Sequence, residues 1–261
     1  MLTKASGEWV GKGFTNTADE LEVIEINVNE VTDQAVSVSH NSQTQKLAKK
    51  SNFDFSFVGG EENWYRYNYD IYQNNFAEEG NYSVTVSSTD TFNKSVSNRT
   101  AYVDEEKGIV KNCPIAFVVD QTAPSILIEG VESDTPYGDP EKTVQIICTD
   151  TNIDPESLVI TDENGAKLQE GTDYQVEALA GELDIELLVD KAGKHSLSVS
   201  VADLAENSSA DAVTDFELNA SIFTLFFHNT AAVVGTAIGL AALVGLAIFL
   251  ILKRRKKQEQ G

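Results

Sequence analysis

The chain has 261 residues, and 41 acidic against 19 basic side chains give a formal net charge of −22. A polyanion of this kind repels phosphate backbones, which excludes nucleic acid as a main partner. With 41% hydrophobic and 23% charged residues the composition is that of a folded chain rather than a disordered one, and the length suits one or two domains of roughly 100–200 residues.

Residues 1–20 contain no apolar run of the ~7–15 residues that a secretory signal needs. Set beside the exported location derived below, they are expected to be the remnant of a preceding region or a linker, with Met1 not the natural start. Short, β-branched, largely alternating segments follow: Leu21–Val28, Asn81–Ser87, Thr143–Thr149, Leu183–Val189 and His195–Val201. Turn signals bound them at Gly59-Gly60, Gly80, Asn164-Gly165 and Gly193. Between Leu158–Thr161 and Ala166–Leu168, Asn164-Gly165 predicts a hairpin on a type I′ turn, whose two central residues both need positive φ. No segment before residue 230 sustains a helical period over three turns.

The run Trp64–Tyr72 is unusually aromatic. Alternation puts Tyr65, Tyr67, Tyr69 and Ile71 on one face, with Trp64 and Tyr72 bracketing the other. The plain expectation is a core strand with one buried aromatic face. The functional alternative is a ligand contact in which Trp64 and Tyr72 meet a glycan or a protein partner.

Residues 80–95, GNYSVTVSSTDTFNKS, align without a gap on 193–208, GKHSLSVSVADLAENS. Gly80 matches Gly193, Ser83 Ser196, Val86 Val199, Asp90 Asp203 and Ser95 Ser208. The shared Gly, Asp and Ser lie outside the alternating core, so the match predicts tandem modules rather than two generic strands. The joint is placed near Asp120-Gln121-Thr122-Ala123-Pro124. Cys113 and Cys148 are the only cysteines, and Val144, Ile146 and Cys148 share a strand face, the pattern of a core thiol rather than a disulfide.

From Thr230 to Leu252, 23 consecutive residues carry no charge. As a helix this run would be roughly 34 Å long, enough for a hydrocarbon core of about 30 Å. Lys253, Arg254, Arg255, Lys256 and Lys257 follow directly and are expected to stay cytoplasmic, which puts the amino-terminal region outside. The charge divides accordingly: residues 1–252 carry −26 and the last nine +4. Phe223, Phe226 and Phe227 are placed near the outer interface. Gly235 and Gly239 form a GxxxG that predicts a helix-dimer face.

Chemistry-bearing motifs are scarce. His40, His195 and His228 have no cysteine or histidine partner at zinc-ligand spacing, and His195 stands where the repeat has Tyr82, so it reads as packing. There is no G-x-S-x-G, H-E-x-x-H or phosphate-cradling glycine loop. The expectation is a non-enzymatic chain without cofactor. Asp120, Asp150, Asn152, Asp154 and Asp203 are placed in loops or at the joint as the one group suited to calcium, without an EF-hand loop among them.

Asp120-Gln121-Thr122-Ala123-Pro124 after the Phe117–Val119 strand resembles the V-D-x-T-A-P linker of immunoglobulin-like domains in large Gram-positive cell-surface proteins. Asp203-Leu204-Ala205-Glu206-Asn207-Ser208 is similar to the D-x-A-G-N-x-S that ends such modules, with Glu206 where the family usually has Gly; Asp90–Ser95 matches less well. Trp64–Ile71 with Phe76 and Glu79–Tyr82 is similar to the upstream module of such proteins. The family's L-P-x-T-G wall-sorting motif is missing from Leu225–Thr230. The resemblance implies extracellular spacer or adhesive modules and names no ligand.

The expected architecture is all-β. Residues 21–119 and 120–219 form two tandem immunoglobulin-like β-sandwiches, 220–229 a juxtamembrane neck, 230–252 a single transmembrane helix and 253–261 a basic cytoplasmic tail. The expected role is that of a single-pass type I membrane protein whose partners are the lipid bilayer and, through its modules, an extracellular glycan or protein. The rival readings are a ligand-binding module working through Trp64–Tyr72, and the carboxyl-terminal anchor of a larger surface enzyme.

Overall fold

A computed structural model describes residues 2–6, 8–60, 64–98, 100–104, 109–113, 115–229, 233–242 and 244, with side chains from Val10 to Asn98 and from Ile115 onward within those ranges. The chain is predominantly β and divides into two compact units. The first comprises Met1–Pro124, Asn152–Asp154 and Ala202–Ser208; the second comprises Ser125–Thr151, Pro155–Val201 and the chain from Ser209.

In chain order the first unit contains β1 (Leu2–Ser6), α1 (Glu8–Lys12), β2 (Phe14–Thr15), β3 (Leu21–Asn27), β4 (Val31–His40), β5 (Gln43–Lys46) and β6 (Phe53–Gly59). There follow β7 (Tyr65–Ile71), β8 (Gly80–Asp90), β9 (Ser95–Ser97), β10 (Thr100–Asp104), β11 (Ile109–Cys113) and β12 (Ile115–Val119). One sheet has the order β1-β3-β7-β6, the other β2-β12-β8-β4-β5 with β9 on β8, while β10 and β11 pair with each other. Alternation dictates which residues meet. Leu21 and Val23 of β3, Tyr69 and Ile71 of β7 and Phe53 of β6 join Val36 and Val38 of β4, Val84 and Val86 of β8, and Phe117 and Val119 of β12 in one apolar cluster. Phe76 stands edge-on to Tyr82 and Phe117 inside it, at centroid distances of 5.6 and 5.3 Å.

The second unit contains β13 (Ser125–Glu129), β14 (Lys142–Thr149), β15 (Ile153–Thr161), β16 (Tyr174–Leu179), β17 (Glu182–Val189), β18 (Gly193–Asp203), β19 (Ser208–Leu218) and α2 (Ile222–His228). Its sheets run β13-β14-β17-β16 and β15-β18-β19. The inward rows are Val144, Ile146 and Cys148 on β14, Leu183, Ile185 and Leu187 on β17, Leu197, Val199 and Val201 on β18, and Val213, Phe216 and Leu218 on β19, all buried. Cys148 is a free thiol with no exposed surface, and burial pushes its pKa up to about 11. The side chain of Cys113, in β11, lies outside the described residues.

The turn after β15 corrects one expectation. The Gly165 amide donates to the Asp162 carbonyl (2.9 Å) and the Asp162 amide to the Ala166 carbonyl (3.0 Å). Gly165 has φ +73, whereas Asn164 is not among the positive-φ residues. This is the longer hairpin loop closed by one left-handed glycine, not a type I′ turn. The Asp162 carboxylate selects it by accepting the amides of Asn164 (2.9 Å) and Ala166 (2.8 Å). Those same bonds hold the Asp162 pKa below its usual range, that from Ala166 first.

Within residues 220–229, where the neck was expected, Ile222–His228 forms the helix α2. Ser221 caps α2, its hydroxyl accepting the Thr224 amide at 3.1 Å. Phe223 and Phe227 on that helix are largely exposed. Beyond it residues 233–242 are helical, and among the described residues no single helix is long and apolar enough to cross a membrane. The expected span 230–252 therefore does not stand as one helix there, since residues 230–232, 243 and 245–252 lie outside the described part. Lys253, Arg254, Arg255, Lys256 and Lys257 lie outside it as well.

Candidate functional site

The two copies of the repeated strand, β8 and β18, have eleven residues each and the same alternation of burial. Tyr82, Val84, Val86, Ser88 and Asp90 point inward on β8; His195, Leu197, Val199, Val201 and Asp203 do so on β18. At the start of each row the ring reaches back four residues: the Tyr82 hydroxyl donates to the Glu78 carbonyl (2.8 Å), and His195 Nε2 meets the Lys191 carbonyl (2.7 Å). That bond makes Nε2 a donor and His195 a packing residue. At the end of each row a buried carboxylate organises the following turn. Asp90 accepts the amides of Phe92 and Lys94, both at 2.9 Å, and Asp203 accepts the Asn207 amide at 2.8 Å. The Lys94 amide and then the Asn29 side chain hold the Asp90 pKa below the usual carboxylate range.

Both turns pass through the left-handed region, at Asn93 (φ 56) and Glu206 (φ 70). A glycine would adopt the second value without strain. Glu206 instead reaches Lys12 Nζ at 2.6 Å, an exposed pair that lowers the Glu206 pKa.

Asp120 and Asp203, both buried in the first unit, bring carboxylate oxygens within 4.8 Å of one another. Asp203 is the last residue of β18, and Asp154 lies near the start of β15. Amide donors satisfy the carboxylate pair. Asn152 Nδ2 donates to Asp120 Oδ2 (2.6 Å), and Asn207 Nδ2 donates to Asp203 Oδ2 (2.7 Å) and to the Asp120 carbonyl (2.8 Å). Calcium takes six to eight oxygens, of which this pair would supply a part.

A second polar cluster went unseen in the sequence. Glu25 is fully buried on the inward face of β3. Its carboxylate accepts the Tyr69 hydroxyl (2.6 Å), the Ser88 hydroxyl (2.6 Å) and Asn27 Nδ2 (3.2 Å). Burial first, and then the Glu25 charge, drive the Tyr69 pKa far upward, so Tyr69 stays a donor across the accessible pH range. The signal available was the row Leu21, Val23, Glu25, Asn27, whose alternation carries two polar residues inward with two aliphatic ones.

Trp64 and Tyr72 are not brought together. They flank opposite ends of β7, roughly 25 Å apart by strand rise. Tyr67, Tyr69 and Ile71 between them face the core. Tyr72 bonds the Asp54 carboxylate, which raises its pKa. Trp64, 46% exposed, borders a groove of about 590 Å³ with Ile26, Val58, Tyr65 and Arg66. Gly60 permits that wall, because a Cβ there would collide with the Trp64 carbonyl. Next to the groove, β6 lays Phe55 and Phe57 against Tyr67 at centroid distances of 5.1 and 5.5 Å, and Phe57 is 59% exposed. Gly235 and Gly239 lie four apart on the helix of residues 233–242, and a Cβ at either would meet nothing within 4 Å.

Comparison with known proteins adds little. No protein-family model and no curated protein matches the chain. Among solved structures, one described as "Crystal Structure of Rst D1-D2" is similar at 15% identity with a TM-score of 0.43, covering 78% of this chain and 93% of that one. At that TM-score the likeness carries no argument.

Proposed function

We propose that this chain is a non-enzymatic, membrane-anchored surface protein whose two immunoglobulin-like modules act as a stalk, presenting or contributing to adhesion outside the cell. The observation that carries the reading is the duplication. Each unit has the same order of four strands in one sheet, β1-β3-β7-β6 against β13-β14-β17-β16, and the paired strands β8 and β18 share their burial row and the carboxylate that ends it. Tandem copies of one module, joined by a short segment containing Pro124, are the economical way to build length. The linker resemblance to Gram-positive surface proteins supports the same reading, as do the uncharged run 230–252 and the five cations after it.

Topology is the test. In cells carrying the full chain with an epitope at each end, external protease is expected to remove the amino-terminal epitope and spare the carboxyl-terminal one. Protection of the amino-terminal epitope in intact cells contradicts the proposal.

The second reading, a ligand-binding module for glycan or protein, is favoured by one observation: the groove beside Trp64, with Phe57 and Val58 exposed along the adjoining strand. It narrows the expected contact from Trp64 and Tyr72 together to Trp64 alone. Loss of glycan-array or host-protein binding in Trp64→Ala, with melting unchanged, supports it; retained binding removes it.

A further inference from the structure

We infer that the outer edge of β6 receives an extended acidic peptide segment as an added strand. The inner side of β6 is fully engaged with β7, in the register Phe53↔Ile71, Phe55↔Tyr69 and Phe57↔Tyr67. On the outer side the only pairing among the described residues is at its first residue, where the Lys50 amide donates to the Phe53 carbonyl at 2.7 Å. The Tyr72 amide takes the Asn52 carbonyl at 3.0 Å on the inner side, so Phe53 points its carbonyl outward, and strand alternation turns the backbone groups of Phe55 and Phe57 outward with it. An open row of donors and acceptors of this kind is a template for a further strand.

Two features give that strand its chemistry. From Gln43 to Gly60, Lys46, Lys49 and Lys50 oppose the single acid Asp54, in a chain where acids outnumber bases by 41 to 19. All three lysines are exposed, and none forms an ion pair among the described residues. Lys49 is held at this edge, its Nζ 4.9 Å from the centroid of the Phe55 ring. The same sheet face offers apolar contact through Phe57, 59% exposed, and the opposite face through Val58, 49% exposed. A partner strand that alternates acidic with β-branched side chains fits both: its carboxylates meet the lysines and its apolar row lies along Phe57. The local charge is opposite to that of the chain as a whole, so two copies of this edge repel each other when brought together.

The test uses the full chain and an acetylated, amidated heptapeptide alternating glutamate with valine, against its lysine counterpart. The glutamate peptide is expected to bind at least roughly tenfold more tightly at low salt, to weaken as salt rises, and to slow hydrogen exchange at the amides of Phe55 and Phe57. The double variant Lys49→Glu/Lys50→Glu, with both sites on the surface, is expected to reverse the preference while melting stays unchanged. Equal binding of the lysine peptide, or protection that maps away from Phe55 and Phe57, overturns the inference. So does an oligogalacturonate that binds as well without protecting those amides, since the edge then reads anionic glycan rather than a strand. Protection that grows with protein concentration alone also overturns it, because a second copy then fills the edge. The salt series on the unaltered protein decides the matter even where the double variant misfolds.

Discussion

The two units place different chemistry on matching strands. In the first, the inward row of β3 runs Leu21, Val23, Glu25, Asn27; in the second, the row of β14 runs Val144, Ile146, Cys148. Their partners differ in the same sense, Tyr67, Tyr69 and Ile71 on β7 against Leu187, Ile185 and Leu183 on β17. One unit thus closes its core with a hydrogen-bonded carboxylate and tyrosines, the other with aliphatic side chains and a thiol. The common strand order shows that alternation and turn placement carry the architecture, while the filling between the sheets is free to vary so long as every buried polar group finds a partner.

The largest effect that would break this comparison comes from Glu25. Glu25→Ala removes the acceptor for Tyr69, Ser88 and Asn27 together and is expected to cost about 2–4 kcal/mol. Trp9 and Trp64 both belong to the first unit, so tryptophan fluorescence in a urea titration reads that unit alone. The loss should appear in that signal, while the second unit, followed by Cys148 reactivity in a Cys113→Ser background, is unmoved. Next in size is the alkaline limb of the second unit. The Cys148 thiol stays protonated in the folded state up to about pH 11, whereas the unfolded chain releases its proton near its ordinary value. The stabilising contribution is therefore complete below about pH 9 and declines between about pH 9 and 11, on the order of 2 kcal/mol. Urea midpoints across that range should fall, and Cys148→Ala should flatten the decline. A smaller effect is expected at the hairpin after β15. Gly165 sits at φ +73, and Gly165→Ala should lower the second unit's stability by about 1 kcal/mol. The smallest separates the two matched turns. Glu206→Gly relieves a left-handed glutamate but gives up its exposed pair with Lys12, for a small net gain in melting temperature. Asn93→Gly should gain less, because asparagine tolerates that conformation. Thermal melts of both variants in parallel read the difference.

The strand segments were legible because each alternates over several residues between turn signals, and β3, β8, β14, β17 and β18 stand where period-2 reading puts them. The Asn164-Gly165 turn was misread because the dipeptide alone does not determine loop length; the Asp162 carboxylate, two residues upstream, does. The buried Glu25 cluster was hidden because two of its three partners, Tyr69 and Ser88, come from strands distant in sequence, and a glutamate in an alternating run reads as the solvent face by default. Trp64 and Tyr72 looked like one surface because alternation ignores the length of the strand between them. The exposed edge of β6 left no trace in the sequence at all, since which strand ends a sheet depends on pairing and not on any local pattern.

The central claim, that this chain is a stalk of two tandem modules, is tested most directly by pulling on single molecules of the full chain. The account predicts two separate unfolding events, each releasing on the order of 300 Å for roughly 100 residues, with Glu25→Ala lowering the force of one event and leaving the other in place. A single event that releases the whole length at once would contradict it.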